Sequence, residues 1–212
     1  MNARAFLKIT FSGYWRSGSG GSGAGDVDAA AGRDRDGLPY VPGRQLKGLV
    51  REAGERLVTA SFNGWDRKRV GLLFGEPFSS ETPIRMSVPG VLDFRNGRLP
   101  SIVREAVRAD SSLASLLFTR VSSTAIDPLT GAAKSGTLRS LEVAVPQTLF
   151  ALVRWAPDAR LMVETASINE IEQLQKSWVE CLDDAAALVL AIGADRSDGY
   201  GRAIVEVVRE AE

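Results

Sequence analysis

The chain of 212 residues contains no histidine. That absence excludes Ser-His-Asp and Cys-His nucleophiles, imidazole acid–base chemistry and the usual zinc sites. Catalysis in such a chain rests on carboxylates, Lys, Arg, Tyr or a metal held by oxygen ligands, which suits a hard cation such as Mg²⁺. The single cysteine, Cys181, excludes an internal disulfide framework. No apolar run approaches the roughly eighteen residues of a membrane span. The N-terminal MNARAFLKITF alternates instead of forming the continuous apolar block of a signal peptide. A cytoplasmic protein without a membrane partner is the expectation. Net charge is also missing, with 26 basic residues against 26 acidic ones, which argues against indiscriminate binding of polyanions.

What is present is a globular composition, 44% hydrophobic and 25% charged. The length accommodates one sizeable domain or two small ones. The charge is uneven: residues 1–75 hold twelve Lys/Arg against seven Asp/Glu, and the remainder reverses that balance. A basic N-terminal part can supply phosphate contacts, although chance asymmetry of a solvated surface gives the same numbers.

Periodicity sketches the elements. RAFLKITF (4–11) alternates as a half-buried strand, and a Gly/Ser-rich stretch, RSGSGGSGAGDVD (16–28), follows it. Leu46, Leu49, Val50, Ala53 and Leu57 recur at helical spacing over 45–58. A strand over 84–94 and a short helix between 101 and 118 come next. Residues 120–147 are poor in apolar residues and read as a long irregular excursion. Strands over 149–155 and 161–166, a helix over 168–190 and a last strand, AIVEVV, complete the chain. Helices on one face of an antiparallel sheet make an α+β, ferredoxin-like layer, the sheet that also underlies RNA-recognition modules.

Three segments carry candidate chemistry. GLPYVPGRQLKGLVREA (37–53) is a Pro-defined entry into a helix whose first turns carry Arg44 and Lys47, a phosphate site or an ordinary helix start with surface cations. It is not a Walker loop, because Leu49 stands where Lys is required. RVSSTAIDPLTGAAKSGTLRSLEVAVPQTLF (120–150) holds turn chemistry at Asp127-Pro128 and Thr130-Gly131, lined by Arg120, Lys134 and Arg139. It reads as an arm for nucleic acid or as a disordered loop. GADRSDGYGR (193–202) sets Tyr200 between glycines beside Arg196 and Arg202, suited to a sugar-phosphate strand and equally familiar as a turn before a strand.

Taken in order, these segments resemble the CRISPR-associated RAMP superfamily. PYVPGRQLKGLVR is similar to its Pro-Gly…Lys-Gly signature. AIDPLTGAAKSGTLRSLEVAVPQTLF is similar to a stretch of type III backbone subunits, and GADRSDGYGR to the C-terminal glycine-rich loop. The resemblance covers about residues 6 to 208. It implies one RNA-recognition-like domain over 1–212, with a Gly-rich and active-loop insertion at about 16–38 and a protruding thumb hairpin at about 120–146.

Copies of such subunits line up head to tail along a guide RNA, alongside other effector subunits, and each thumb wedges into the guide–target duplex. The resemblance makes Arg16, Arg33, Arg44, Lys47, Arg51, Arg120, Lys134, Arg139, Arg196, Tyr200 and Arg202 candidate RNA contacts. Subunits that cut target RNA carry a D-x-x-x-x-R-D pattern, and Asp28-Ala29-Ala30-Ala31-Gly32-Arg33-Asp34 fits it. Asp28 is then the catalytic and Mg²⁺-holding candidate, while Asp26 either assists or merely sits nearby. The chain departs from the family in having Arg44-Gln45 for Ser-Ser, Pro128 for Arg and Gln147 for Gly. Three functions follow as expectations: a guide-binding subunit that cuts target RNA, a non-catalytic RNA-binding subunit of the same assembly, or an unrelated α+β enzyme of small molecules.

Overall fold

The computed structural model describes residues 4–18, 28–75, 89–157 and 167–209. Strand β1 (Arg4–Phe11) buries Ala5, Leu7, Ile9 and Phe11 and turns Phe6, Lys8 and Thr10 the other way, as its alternation requires. Helix α1 (Gly43–Thr59) buries Leu46, Val50, Ala53 and Leu57 along one stripe, and the short α2 (Arg67–Phe74) follows, capped by the Asp66 carboxylate. Strand β2 spans Leu92–Phe94, helix α3 spans Ser101–Ala109 and a 3₁₀ turn covers Ser111–Leu117.

Strands β3 (Phe118–Ser123) and β4 (Arg139–Ala144) then form an antiparallel hairpin. Strand β5 (Thr148–Trp155), helix α4 (Ile168–Ala186) and strand β6 (Ala203–Val208) complete the order.

The main sheet is antiparallel with order β2-β5-β1-β6. Together with α1 between β1 and β2 and α4 between β5 and β6, that order is the βαββαβ ferredoxin-like layer. The inward residues of β1 and β5 join the apolar stripes of α1 and α4 in one cluster, with Trp178 and Leu182 fully enclosed. Each such Leu contributes about 1.5–3 kcal/mol by leaving water.

Three expectations need adjustment. The excursion over 120–147 contains an ordered hairpin, whose strands show no buried stripe because all but Val143 and Ala144 are exposed or only partly buried. The helix expected to run to Leu190 stops at Ala186. Beyond it, the Leu190 carbonyl accepts from Ala203 N–H and Ile192 N–H donates to Gly201, so these groups serve the approach to β6 instead of the helix ladder. Of the strand expected over 84–94, Leu92–Phe94 is β2, while 84–88 and the strand expected over 161–166 lie outside the described residues. Among the described residues no helix is long and apolar enough to cross a membrane.

One consequence of the register positions the site. Thr10 pairs with Thr148 and Phe11 with Ala203, so β1 ends where β5 and β6 begin. The Gly/Ser segment, the hairpin's return and the 193–202 loop all emerge from this one end of the sheet.

Candidate nucleic-acid interface

The residues after β1 tie that end together. Trp15 is fully buried, stacks on Phe11 at 4.2 Å and exchanges backbone hydrogen bonds with Ala144 at the foot of the hairpin. Its indole N–H donates to the Val145 carbonyl at 3.2 Å. Next in sequence, the Arg16 carbonyl accepts from Ala194 N–H, and Arg16 Nε donates to Asp195 Oδ2 at 2.6 Å. Ser17 is buried; its hydroxyl donates to the Tyr40 carbonyl at 2.7 Å and its own carbonyl accepts from Gly32. Three consecutive residues thus hold the hairpin, the glycine-rich loop, the 28–34 stretch and the approach to α1 in register. Sequence reading assigned Arg16 to RNA. Here its guanidinium is largely enclosed, and its visible work is to fix the 193–200 turn.

Asp28 sits against the hairpin. Its N–H donates to the Ser140 carbonyl at 2.9 Å, and its Oδ2 accepts from Ser140 N–H at 2.7 Å. Ala29 bridges Leu141 in parallel fashion and its carbonyl accepts from Glu142 N–H, so 28–31 runs alongside β4 through an isolated bridge. Glu142 closes this strip: Oε1 pairs with Arg33 at 2.9 Å and Oε2 accepts from Ala31 N–H. Arg33 also lies over the Phe118 ring, 3.6 Å from its centroid, a cation–π contact. The five-residue spacing of Asp28 and Arg33 therefore places both along the hairpin, the exposed Asp28 beside Ser140 at the outer end of β4 and the anchored Arg33 nearer the base. Asp26 lies outside the described residues.

At the start of α1 the first amide, Gly43 N–H, is already taken by Asn96 Oδ1 at 2.9 Å. Arg44 is exposed beside it. Lys47 is half-buried, and burial lowers its pKa below that of a free lysine against the partial opposition of Asp93. A buried ammonium of this kind gains from a phosphate that replaces its lost water. Arg51 pairs with Glu55 one turn on, at 2.9 Å.

The hairpin carries Arg120, Lys134 and Arg139 exposed, and the glycine-rich loop carries Arg196 and Arg202 exposed with Tyr200 half-buried. None of these five cations has an ion pair among the described residues. The hairpin's tip is turn chemistry, with Asp127 Oδ1 accepting from Leu129 N–H at 2.8 Å. Three large apolar side chains stand exposed along it, Ile126, Leu129 and Leu138.

Among the described residues no group of three Asp, Glu or Cys converges to cage a metal. Asp28 stands as a single carboxylate with Oδ2 engaged. That donor set fits Mg²⁺ only in the mode where one carboxylate shares the ion with substrate phosphates and water. Sequence reasoning missed Trp15, Ser140, Glu142 and Asp195, which position the functional side chains. Only the Trp beside Arg16 was a visible signal, because a large aromatic in a Gly/Ser stretch demands a burial site.

A family model described as the RAMP superfamily matches residues 8–205. Similar in structure is a chain from the cryo-EM structure of the Type III-B Cmr-beta in its apo state, with TM-score 0.66, 12% identity and coverage of 98% of both chains. A chain from the Type III-B Cmr-beta bound to cognate target RNA gives TM-score 0.62, 12% identity and coverage of 96% of both. No curated protein matches the sequence. At 12% identity these structures share the fold.

Proposed function

The chain belongs to the RAMP superfamily, and from that membership we propose that it is a backbone subunit of a type III-like CRISPR effector that binds guide RNA and cuts the paired target RNA. The observation that carries this reading is the contact between Asp28 and Ser140, which sets an exposed carboxylate on the flank of the hairpin, at the outer end of β4. Support comes also from the unpaired cations on the hairpin and the glycine-rich loop, and from the folds of the Cmr chains, one of them in an assembly bound to target RNA.

In this reading Arg44, Lys47, Arg196 and Arg202 hold guide phosphates, and Tyr200 offers a ring for stacking. The exposed Ile126, Leu129 and Leu138 wedge into the duplex and unstack a nucleotide, which lets a target 2′-hydroxyl align in line with the adjacent phosphorus. Mg²⁺ held by Asp28 and the scissile phosphate would supply stabilisation of charge on the phosphoryl and leaving oxygens. Arg139, next to Ser140, adds a cation beside the same phosphate. Further copies of the chain, or related subunits, would pack head to tail, since heterologous contacts need not close into a ring.

The test is Asp28→Asn in the assembled, guide-loaded complex. Asparagine keeps an acceptor for Ser140 N–H and removes the charge. The expected outcome is target cleavage down by about a hundredfold or more with guide binding unchanged, since the lost electrostatic contribution is several kcal/mol. Unchanged cleavage removes Asp28 from the mechanism. A second reading, a non-catalytic RNA-binding subunit, is favoured by the single carboxylate at the site, and wild-type complex that binds target but never cuts it would establish that reading.

A further inference from the structure

The main sheet has a second face that the interface above does not use. Opposite partners in an antiparallel pair project to the same side, so the register writes this face out row by row. Arg98, Phe150, Lys8 and Glu206 form one row across the four strands' width, and Leu152, Phe6 and Val208 form the next. Phe6 and Phe150 lie on the two central strands as diagonal neighbours, about 7–8 Å apart by sheet geometry, and both are half-buried. They floor a cleft of about 570 Å³ that is also lined by Leu152, Arg95, Arg98 and Arg104.

The cleft's charge is one-sided. Three arginines line it and no carboxylate does, and Arg95 is paired from outside the cleft with Asp93 at 3.1 Å. Arg98 has no ion pair or side-chain hydrogen bond among the described residues. Arg104 donates from Nη2 to Asp36 at 3.3 Å, while its Nε is buried without a partner. Glu206 sits at the far end of its row beside Lys8, away from the cleft.

We propose that this face is a single-stranded RNA site, in which Phe6 and Phe150 each stack one unpaired base and Arg98 and Arg104 hold the intervening phosphates. Two aromatics on the central strands of a four-stranded sheet, flanked by cations, are the arrangement by which such sheets stack splayed bases. Stacking reads any base and needs its π-face bare, so the ligand is a single strand and not a duplex. Protein interfaces also favour Phe and Arg, but the unpaired Arg98 and a lining without a carboxylate call for an anionic strand. The site shares no residue with the guide interface and does not need Asp28; it would take RNA that extends beyond the guide-paired stretch.

The test measures binding of a fluorescein-labelled oligouridine 8-mer to the full chain. Phe6→Leu with Phe150→Leu keeps the apolar volume and removes both rings; an unchanged thermal midpoint and circular dichroism spectrum verify folding. Affinity is expected to fall about tenfold or more with the salt dependence preserved, since stacking carries no counterion release. Phe6→Tyr with Phe150→Tyr is expected to restore binding, and Arg98→Gln to reduce the slope against log salt by about one. Crosslinks from 4-thiouridine should map to Phe6 or Phe150. Unchanged affinity of the folded leucine variant overturns the site. Binding lost only in Lys134→Ala with Arg139→Ala also overturns it while leaving the guide interface standing. Leucine variants that alter self-association but not oligouridine binding assign the face to a second copy and overturn it as well.

Discussion

The body of the protein and its hairpin are both antiparallel β-structure, yet different forces hold them. In β1 every second side chain is buried under α1 and α4. In β3 no residue is buried, and in β4 only Val143 and Ala144 are, where the hairpin joins the body. The hairpin is held by its ladder, by the Thr124–Thr137 hydroxyl contact at 2.9 Å and by the 28–31 strip alongside β4. A body stabilised by apolar burial can support an arm that spends its side chains on solvent and ligand. On the proposed function, the difference separates stability from RNA recognition within one domain.

The sharpest way to break that comparison is to remove one leucine from each part. Leu182 in α4 is fully buried and Leu129 at the hairpin tip is 94% exposed. Leu182→Ala is expected to cost about 2–5 kcal/mol in denaturant unfolding, through lost transfer free energy and the cavity left behind. Leu129→Ala is expected to stay within about 0.5 kcal/mol and to weaken engagement of the guide–target duplex instead. Similar stability losses at the two sites would refute the division.

A smaller effect compares two glycines with the same backbone handedness. Gly201 has φ +73° and Gly131 has φ +68°, conformations that cost an L-residue about 1–2 kcal/mol. A Cβ at Gly201 would overlap the Ile192 carbonyl, whereas one at Gly131 meets open space. Gly131→Ala should therefore cost only the backbone term. Gly201→Ala should cost more and loosen the 193–200 turn, seen as faster amide exchange at Ala194. Equal costs would mean that the turn is not held against the body as the contacts indicate.

The same contrast explains what could be read from the chain. The core was legible because burial under helices imposes period: Leu46, Val50, Ala53 and Leu57 in α1, and the alternation of 4–11, fall where the structure buries them. The hairpin's strands carry no such period, so composition suggested irregular chain, and only the resemblance implied a thumb. The candidate site was legible as ordered segments but not as a site. Arg16 meets Asp195 across 179 residues, and Asp28 meets Ser140 across 112. Each joins a charged side chain to a partner more than a hundred residues away, and no local spacing or periodicity announces which partner that is. The capping box at the start of α4 is the opposite case: Ser167 and Glu170 stand three apart and bond as that spacing dictates.

That capping box gives the smallest expected effect, and it bears on the body alone. Glu170 is held down to about 2, first by its hydrogen bond from Lys68 in α2 and then by the Ser167 N–H and hydroxyl. Against an ordinary value of 4.5 this is a folded-state pKa below the unfolded one. Its stabilisation is thus complete above about pH 4.5 and disappears as pH falls toward about 2. Glu170→Gln keeps an acceptor for Ser167 and removes the charge that binds Lys68. The thermal midpoints of wild type and variant should differ slightly at pH 6 and converge as pH drops through that window. A difference that stays constant into acid would show that the pair with Lys68, which ties α4 to α2, contributes nothing to the body. The division between a packed body and a solvated arm would then rest on apolar burial alone.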